Sequence, residues 1–456
     1  MVLEHDEQEI NGKVVDLKGD PNSGLTGATV GFFIGFAAVA LFGPSATRFE
    51  AAMGLSGALT GLLVATPNLS GSLLRIPFAA WSDQVGARKP LLLLLYLSII
   101  GMLGLTGIVF LLYPNNLTIA YYPVILLLGL LSGCGIATFS VGISQVSYWF
   151  SKNKQGKALG IYAGVGNLAP GIFSFIVPIA LFQWELAGSY FFWLVLLVIG
   201  TIIYFIIGRN AYSFQAEEQG VSPEKAKEMA SKKGQEMFSS GNLKESLMSS
   251  AKTWQTWVLV GLYFTSFGGF IALAPWLPKY WEAFFSLGAY EVFGVSMGIA
   301  GSLAGTFVII GSLVRVYSGN LADKITGEKT VFLGIATLLA GSLLMMTSFN
   351  LAISLLAMVA MAVGMGIMNA GVFKLVPKYV SHAVGGAAGW VGGLGAFGGF
   401  VVPPILGVFV DVIGSDGYAY GFVVFTLLSL ISMGLVGVLI KADQNRTEKY
   451  GTATPA

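Results

Sequence analysis

The chain reads as an all-α polytopic membrane protein, with twelve transmembrane helices in two pseudo-symmetric six-helix bundles. Three observations carry that expectation. Of 456 residues, 55% are hydrophobic and only 11% are charged, and the mean hydropathy is +0.76, far from the balance of a soluble domain. Apolar stretches long enough to cross about 30 Å of hydrocarbon, which takes roughly 20 helical residues, recur along nearly the whole length. The chain also repeats itself: Gly71-Ser-Leu-Leu-Arg75 returns as Gly311-Ser-Leu-Val-Arg315, and Asp83 as Asp323, each 240 positions later.

The predicted spans are 27–47, 56–81, 90–113, 121–149, 157–182, 189–208, 254–281, 292–319, 330–349, 351–376, 384–411 and 418–440. The only long polar interruption, 209–253, separates six spans from six. The expected organisation is therefore a polar tail over 1–26, a bundle over 27–208, a linker over 209–253, a second bundle over 254–441 and a tail over 442–456. Within the linker, Ser222-Pro223-Glu224 followed by Lys225, Lys227, Glu228, Lys232 and Lys233 predicts a capped amphipathic helix lying on the membrane surface.

Orientation follows from Lys and Arg. Arg88, Lys89, Lys152, Lys154, Lys157, Lys324, Lys329, Lys378 and the linker fall on one side, against Arg48 and Lys279 on the other. The positive-inside rule then puts both termini and the linker in the cytoplasm of a multi-pass plasma-membrane protein. Residues 1–26 are polar, so no cleavable signal peptide is expected. The one cysteine, Cys134, sits between Gly133 and Gly135, which predicts a small packing residue with no disulfide partner in the chain.

The repeat speaks about substrate because each copy keeps an arginine inside an apolar run. Such a charge at the bilayer centre costs at least about 2.5–3.5 kcal/mol. Arg75 precedes Asp83 by eight residues, so helical rise sets it roughly 12 Å inside the end of its span, and Arg315 repeats the placement. Two guanidinium forks approaching from opposite halves suit a small planar oxyanion. The halves correspond further. Gly133-x-Gly135-Ile136 matches Gly364-x-Gly366-Ile367, and Gly160, Gly164 and Gly166 match Gly389, Gly393 and Gly395. Glycines at this spacing also serve close helix packing alone. A parallel repeat places a substrate site near the midplane, between the halves.

Two motifs carry a family resemblance. Asp83-Gln-Val-Gly86-Ala-Arg88-Lys89, with its degenerate copy Asp323-Lys-Ile-Thr-Gly327-Glu-Lys329, resembles the loop motif of the major facilitator superfamily. That resemblance implies a conformational latch built on Asp83, Arg88 and Asp323. Gly160-Ile-Tyr-Ala-Gly164-Val-Gly166-Asn167-Leu-Ala-Pro170 and Gly389-Trp-Val-Gly-Gly393-Leu-Gly395-Ala-Phe-Gly398-Gly399 are similar to the paired glycine-rich motifs of the nitrate/nitrite porters within that superfamily. The likeness extends to Leu262-Tyr263, Phe267-Gly268 and Phe373-Lys374-Leu-Val-Pro377. The chain departs from the pattern at Ala169, and at Ala396, which stands opposite Asn167.

The resemblance implies secondary active transport of nitrate and nitrite by alternating access. Arg75, Arg315, Asn167, Tyr263, Phe139, Phe267, Gly164 and Gly393 are the expected substrate residues. No Asp, Glu or His is expected in the middle of a span, which favours nitrate/nitrite exchange; Lys374 keeps a proton-coupled symporter open. His382 is expected in a loop without a coupling role. Another small-anion transporter and a nitrate receptor remain rivals. An enzyme does not, because nothing clusters for metal binding or nucleophilic catalysis. The bilayer is the expected surrounding and the transport unit a monomer, with no cofactor, metal or nucleic-acid partner.

Overall fold

The computed structural model describes residues 5–10, 13–235, 243–292, 295–380 and 383–450. The first half comprises α1 (Pro21–Met53), α2 (Gly57–Leu73), α3 (Arg75–Val85), α4 (Arg88–Leu112), α5 (Tyr122–Gly133), α6 (Thr138–Trp149) and α7 (Lys152–Ile207). The linker holds α8 (Tyr212–Glu218), α9 (Pro223–Lys232) and α10 (Leu243–Ala251). The second half runs through α11 (Trp254–Tyr263), α12 (Gly269–Phe285), α13 (Ile299–Ile325), α14 (Gly327–Thr347) and α15 (Leu351–Tyr379). It closes with α16 (Val384–Ala396), α17 (Gly398–Ile413), α18 (Gly417–Tyr420) and α19 (Val423–Tyr450). Leu103, Phe110, Leu127, Phe191 and Leu356 face outward, each more than half exposed, as side chains in lipid contact would be.

Among the described residues, ten helical stretches are long and apolar enough to cross a membrane, against twelve expected. Two breaks account for the difference. The rings of Phe173 and Trp193 in α7 touch at 4.6 Å, whereas on a continuous helix they would stand about 30 Å apart. The chain doubles back at Glu185, where φ is 54° and ψ −164°, so α7 is two passes joined end to end. The other break, at Leu74, divides one pass into α2 and α3.

The repeat is visible in backbone geometry. Gly86 ends α3 at φ 78°, ψ 163°, and Thr326 ends α13 at φ 79°, ψ 154°. Glycine occupies that region freely; the second copy holds a threonine there, at a conformational cost of about 1–3 kcal/mol.

The polar segments carry more structure than their composition suggests. Residues preceding α1 form a hairpin, β1 (His5–Ile10) against β2 (Lys13–Lys18), and α1 begins at Pro21 with Asp20 capping it. The apolar face of the linker helix α9 is covered by protein: Ala226 and Met229 pack with Val15 and Leu17 of the hairpin and Ala216 of α8. Ser222 makes no side-chain cap. The last helix also runs through the expected tail to Tyr450.

The halves meet most tightly on the face away from the linker. Gly57 and Gly407 back onto each other so closely that a Cβ on either would run into the other's carbonyl. Asp411 accepts from the N–H groups of Gly57 and Ala58 at the start of α2, and Lys279 of α12 pairs with Glu50 of α1. Lys279, expected on this sparsely basic face, lies there with only 2% of its side chain exposed.

Candidate functional site

Three irregularities in the helices position the central side chains. Arg75 opens α3 directly after the break at Leu74, and its carbonyl accepts from Ser140 Oγ at 2.9 Å. Phe139 follows a 3-10 turn at Cys134–Ala137, where Gly133 and Gly135 let the helix pass close to Pro67 and Gly35. Phe267 lies in a π-helical turn, Phe264–Gly268, and Tyr263 immediately before it. Such turns widen the helix and expose backbone to a cavity, and they recur at functional sites.

The two arginines converge on aromatic faces. The Arg75 guanidinium carbon lies 4.9 Å from the Phe139 ring centroid and 5.4 Å from that of Phe267. Arg315 lies 5.6 Å from the same Phe267 ring and 5.9 Å from Phe373. Phe267 thus sits beside both cations, which caps their separation at 11 Å, the sum of those two distances. Cation–π contacts of this kind contribute about 0.5–2 kcal/mol each and hold the guanidinium planes without consuming their N–H donors.

Those donors are only partly used. Arg75 Nε donates to Gly71 O at 3.1 Å, and Nη1 crosses to the other half to reach Gly392 O at 3.3 Å. Its Nη2, Arg315 Nη1 and the Tyr263 hydroxyl are buried atoms without a protein partner. Among the described residues no carboxylate pairs with either arginine. Unpaired buried donors are costly, so a cluster of them marks a place for an acceptor.

The remaining predicted residues fall at varied distances from this centre. Asn167 is buried, with its Oδ1 unpartnered. It lies between Gly164, which approaches Val316, and Gly171, which approaches Ile309, and so occupies the stretch of α7 facing α13. Gly393 is a packing position, since a Cβ there would meet Ile76 at 2.8 Å. Lys374 donates to Ala322 O at 2.8 Å. Of the latch residues, Asp83 and Arg88 do not pair with each other. Asp83 accepts from Tyr148 at 3.4 Å, while Arg88 reaches Phe205 O at 2.9 Å. Of Asp323 only the backbone, in α13, is described, and His382 lies outside the described residues. Cys134 is buried and free.

Sequence reasoning gave no site role to Phe373, Gly392 or Tyr162, although all three stand in the motifs that carry the resemblance. Tyr162 donates to the Phe139 backbone carbonyl at 2.8 Å, and its ring stacks on that of Phe139 with centroids 6.3 Å apart. The repeat also shows in the aromatics: Phe32 and Phe36 of α1 stack at 5.3 Å, and 231 positions later Tyr263 and Phe267 stack at 5.1 Å. The repeat supplies each half with an aromatic pair, and only the second carries a hydroxyl.

A cavity of about 220 Å³ lies against Arg75, Phe139, Phe373, Gly392 and Gly393, with Asp83 also in its wall. It therefore lies on the Asp83 side of Arg75, the basic face, while on the opposite face the Gly57–Gly407 approach and the Glu50–Lys279 pair join the halves.

The chain matches the model of the Major Facilitator Superfamily over residues 28–314 and 282–454. It is 27% identical over 417 residues to the "Probable nitrate transporter NarT" of Staphylococcus epidermidis, covering 90% of this chain and 95% of that protein. It is 28% identical over 456 residues to the "Probable nitrate/nitrite antiporter NarK1" of Thermus thermophilus, covering 92% of each. In three dimensions it resembles a partially occluded inward-open structure of the xylose transporter XylE from E. coli, with a TM-score of 0.66, 13% identity, and coverage of 95% of this chain and 100% of that one.

Proposed function

Given that the chain belongs to the Major Facilitator Superfamily, and is thus a membrane transporter rather than an enzyme, we propose that it carries nitrate and nitrite by alternating access, as an exchanger. The observation that carries this reading is the set of unpartnered donors, Arg75 Nη2, Arg315 Nη1 and Tyr263 Oη, beside the faces of Phe139 and Phe267. A flat, singly charged oxyanion fits between such rings and takes N–H and O–H donors around its edge; a strongly hydrated tetrahedral anion does not. The names borne by NarT and NarK1 support the same substrate, and that of NarK1 supports exchange.

Bundles over 27–208 and 254–441, joined by the 209–253 linker, would rock about this site. Both termini lie in the cytoplasm on this reading, so the cavity faces inward. Empty, the arginines repel each other; nitrate between them removes the repulsion and lets Gly392 and Arg75 draw the inner side shut, which frees the outer contacts to part. Asn167 donates its amide from the α7 side, Gly164 and Gly393 keep the helices close, and Asp83, Arg88 and Asp323 act as the latch in the other state. Among the described residues no carboxylate pairs with either arginine, which favours exchange; Asp83, in the wall of the same cavity, accepts from Tyr148.

The test is nitrate uptake into proteoliposomes. Vesicles loaded with nitrite are expected to take up nitrate, and empty vesicles under an inward proton gradient are not. Uptake driven by protons alone would replace exchange with symport and turn attention to Lys374.

A further inference from the structure

A second cavity, of about 450 Å³, opens where the loop after α3 meets the linker and the N-terminal hairpin; Asp16, Lys18, Arg88, Arg209, Gln215 and Glu218 are in its wall. Its volume falls in the range of small-molecule sites, about 300–1,000 Å³, and of its wall residues transport as described above uses only Arg88, in the latch. Most polar groups there are already engaged. Gln215 accepts from Lys18 N at 2.8 Å and donates to Lys18 O and Asn210 O at 2.8 and 2.7 Å. Gln219 makes the same exchange with Asp16, at 3.0 and 2.9 Å. Both carboxylates are held by lysines, Asp16 by Lys18 at 3.0 Å and Glu218 by Lys89 at 2.9 Å.

The arginines are different. Arg88 gives an N–H to Phe205 O at 2.9 Å and Arg209 gives one to Gly208 O at 3.2 Å. Among the described residues neither pairs with a carboxylate, and the Nε of each is buried without a partner. They also act on each other: burial, and then the Arg88 charge, hold the Arg209 guanidinium below its ordinary pKa. Two like charges with donors to spare, facing one polar cavity, are what an oxyanion relieves.

We propose that this cavity binds a phosphate group, gripped between Arg88 and Arg209. A phosphate monoester or inorganic phosphate brings up to two charges to the two guanidiniums, and a singly charged phosphodiester headgroup still offers two non-bridging oxygens, one to each arginine. Arg88 opens α4 and Arg209 follows the end of α7, so the site is level with the helix ends. The phosphate can therefore come from a soluble compound or from the headgroup of an anionic lipid. Its occupancy would join hairpin, linker and the Asp83–Lys89 loop into one body, a means of regulating transport from outside the substrate path.

Inorganic phosphate binding to the purified full chain in neutral detergent, followed by calorimetry, tests this. Wild type and Arg75→Lys are expected to bind saturably. Arg209→Gln should bind at least tenfold more weakly and Arg209→Lys to an intermediate degree, with nitrate binding unchanged in both Arg209 variants, which also shows that they are folded. If detergent-solubilised protein ignores phosphate, the same proteins go into nanodiscs. A melting midpoint raised by phosphatidylglycerol over phosphatidylcholine in wild type, and not in Arg209→Gln, would assign the site to the headgroup. No response to either source overturns the proposal, as does phosphate binding that survives Arg209→Gln but is lost in Arg75→Lys, which would place it in the central cavity. A wild-type protein that binds phosphate but not nitrate strikes at the transport reading and leaves this one standing.

Discussion

Arg75→Lys is expected to lower nitrate uptake about a hundredfold in proteoliposomes while the protein inserts and purifies normally. Lysine keeps the charge but loses the planar fork. The bond from Nη1 to Gly392 O at 3.3 Å goes, and so does the stacking of the guanidinium against Phe139 and Phe267. The free Nη2 donor, which this account gives to substrate, goes too. A hydrogen bond to a charged group contributes roughly 1.5–3 kcal/mol, and about 1.4 kcal/mol is a factor of ten, so losing donors from both the anion and the closing contact yields that magnitude. Initial uptake rates normalised to reconstituted protein decide it; uptake within a few-fold of wild type would mean that charge alone holds the anion.

Lys279→Ala is expected to cost most in stability. The pair with Glu50 ties α12 to α1 across the two halves, and Thr60 Oγ1 donates to the same carboxylate at 3.0 Å. Lys279 is buried, but the Glu50 side chain is 33% exposed, so the loss falls at or below the lower end of the about 3–5 kcal/mol typical of an orphaned buried charge. The thermal midpoint should drop clearly in the single variant. Glu50→Gln combined with Lys279→Met, which leaves no unpaired charge, should recover more than half of the drop; a double variant as unstable as the single one would show that the loss is packing and not the pair.

Hydropathy and the 240-residue repeat made the bundle architecture legible, because the bilayer forces helices and the repeat announces itself in sequence. The breaks were not legible. Neither Leu74 nor Glu185 is itself a proline or glycine; Gly71 and Pro77 flank the first and Gly188 follows the second at three residues' distance, too far to fix the position of a break, and tertiary packing decides both. Arg75, Arg315 and Phe267 were readable as a group because an intramembrane charge is expensive enough to demand a reason. Gly392 was not, since it acts through a carbonyl that every residue possesses. The linker misled for a related reason: an amphipathic pattern shows that an apolar face needs a partner, and the partner here is a hairpin formed by residues whose composition reads only as polar.

The central claim is that one oxyanion is shared by Arg75 and Arg315. Nitrate affinity of the purified protein, measured for wild type, Arg75→Lys, Arg315→Lys and the double variant, tests it as a double-mutant cycle. If the anion bridges both guanidiniums, either substitution forfeits much of what the pair supplies, and the double loss should fall short of the product of the single losses by about tenfold or more. Losses that simply multiply would contradict the shared site and leave two arginines acting independently.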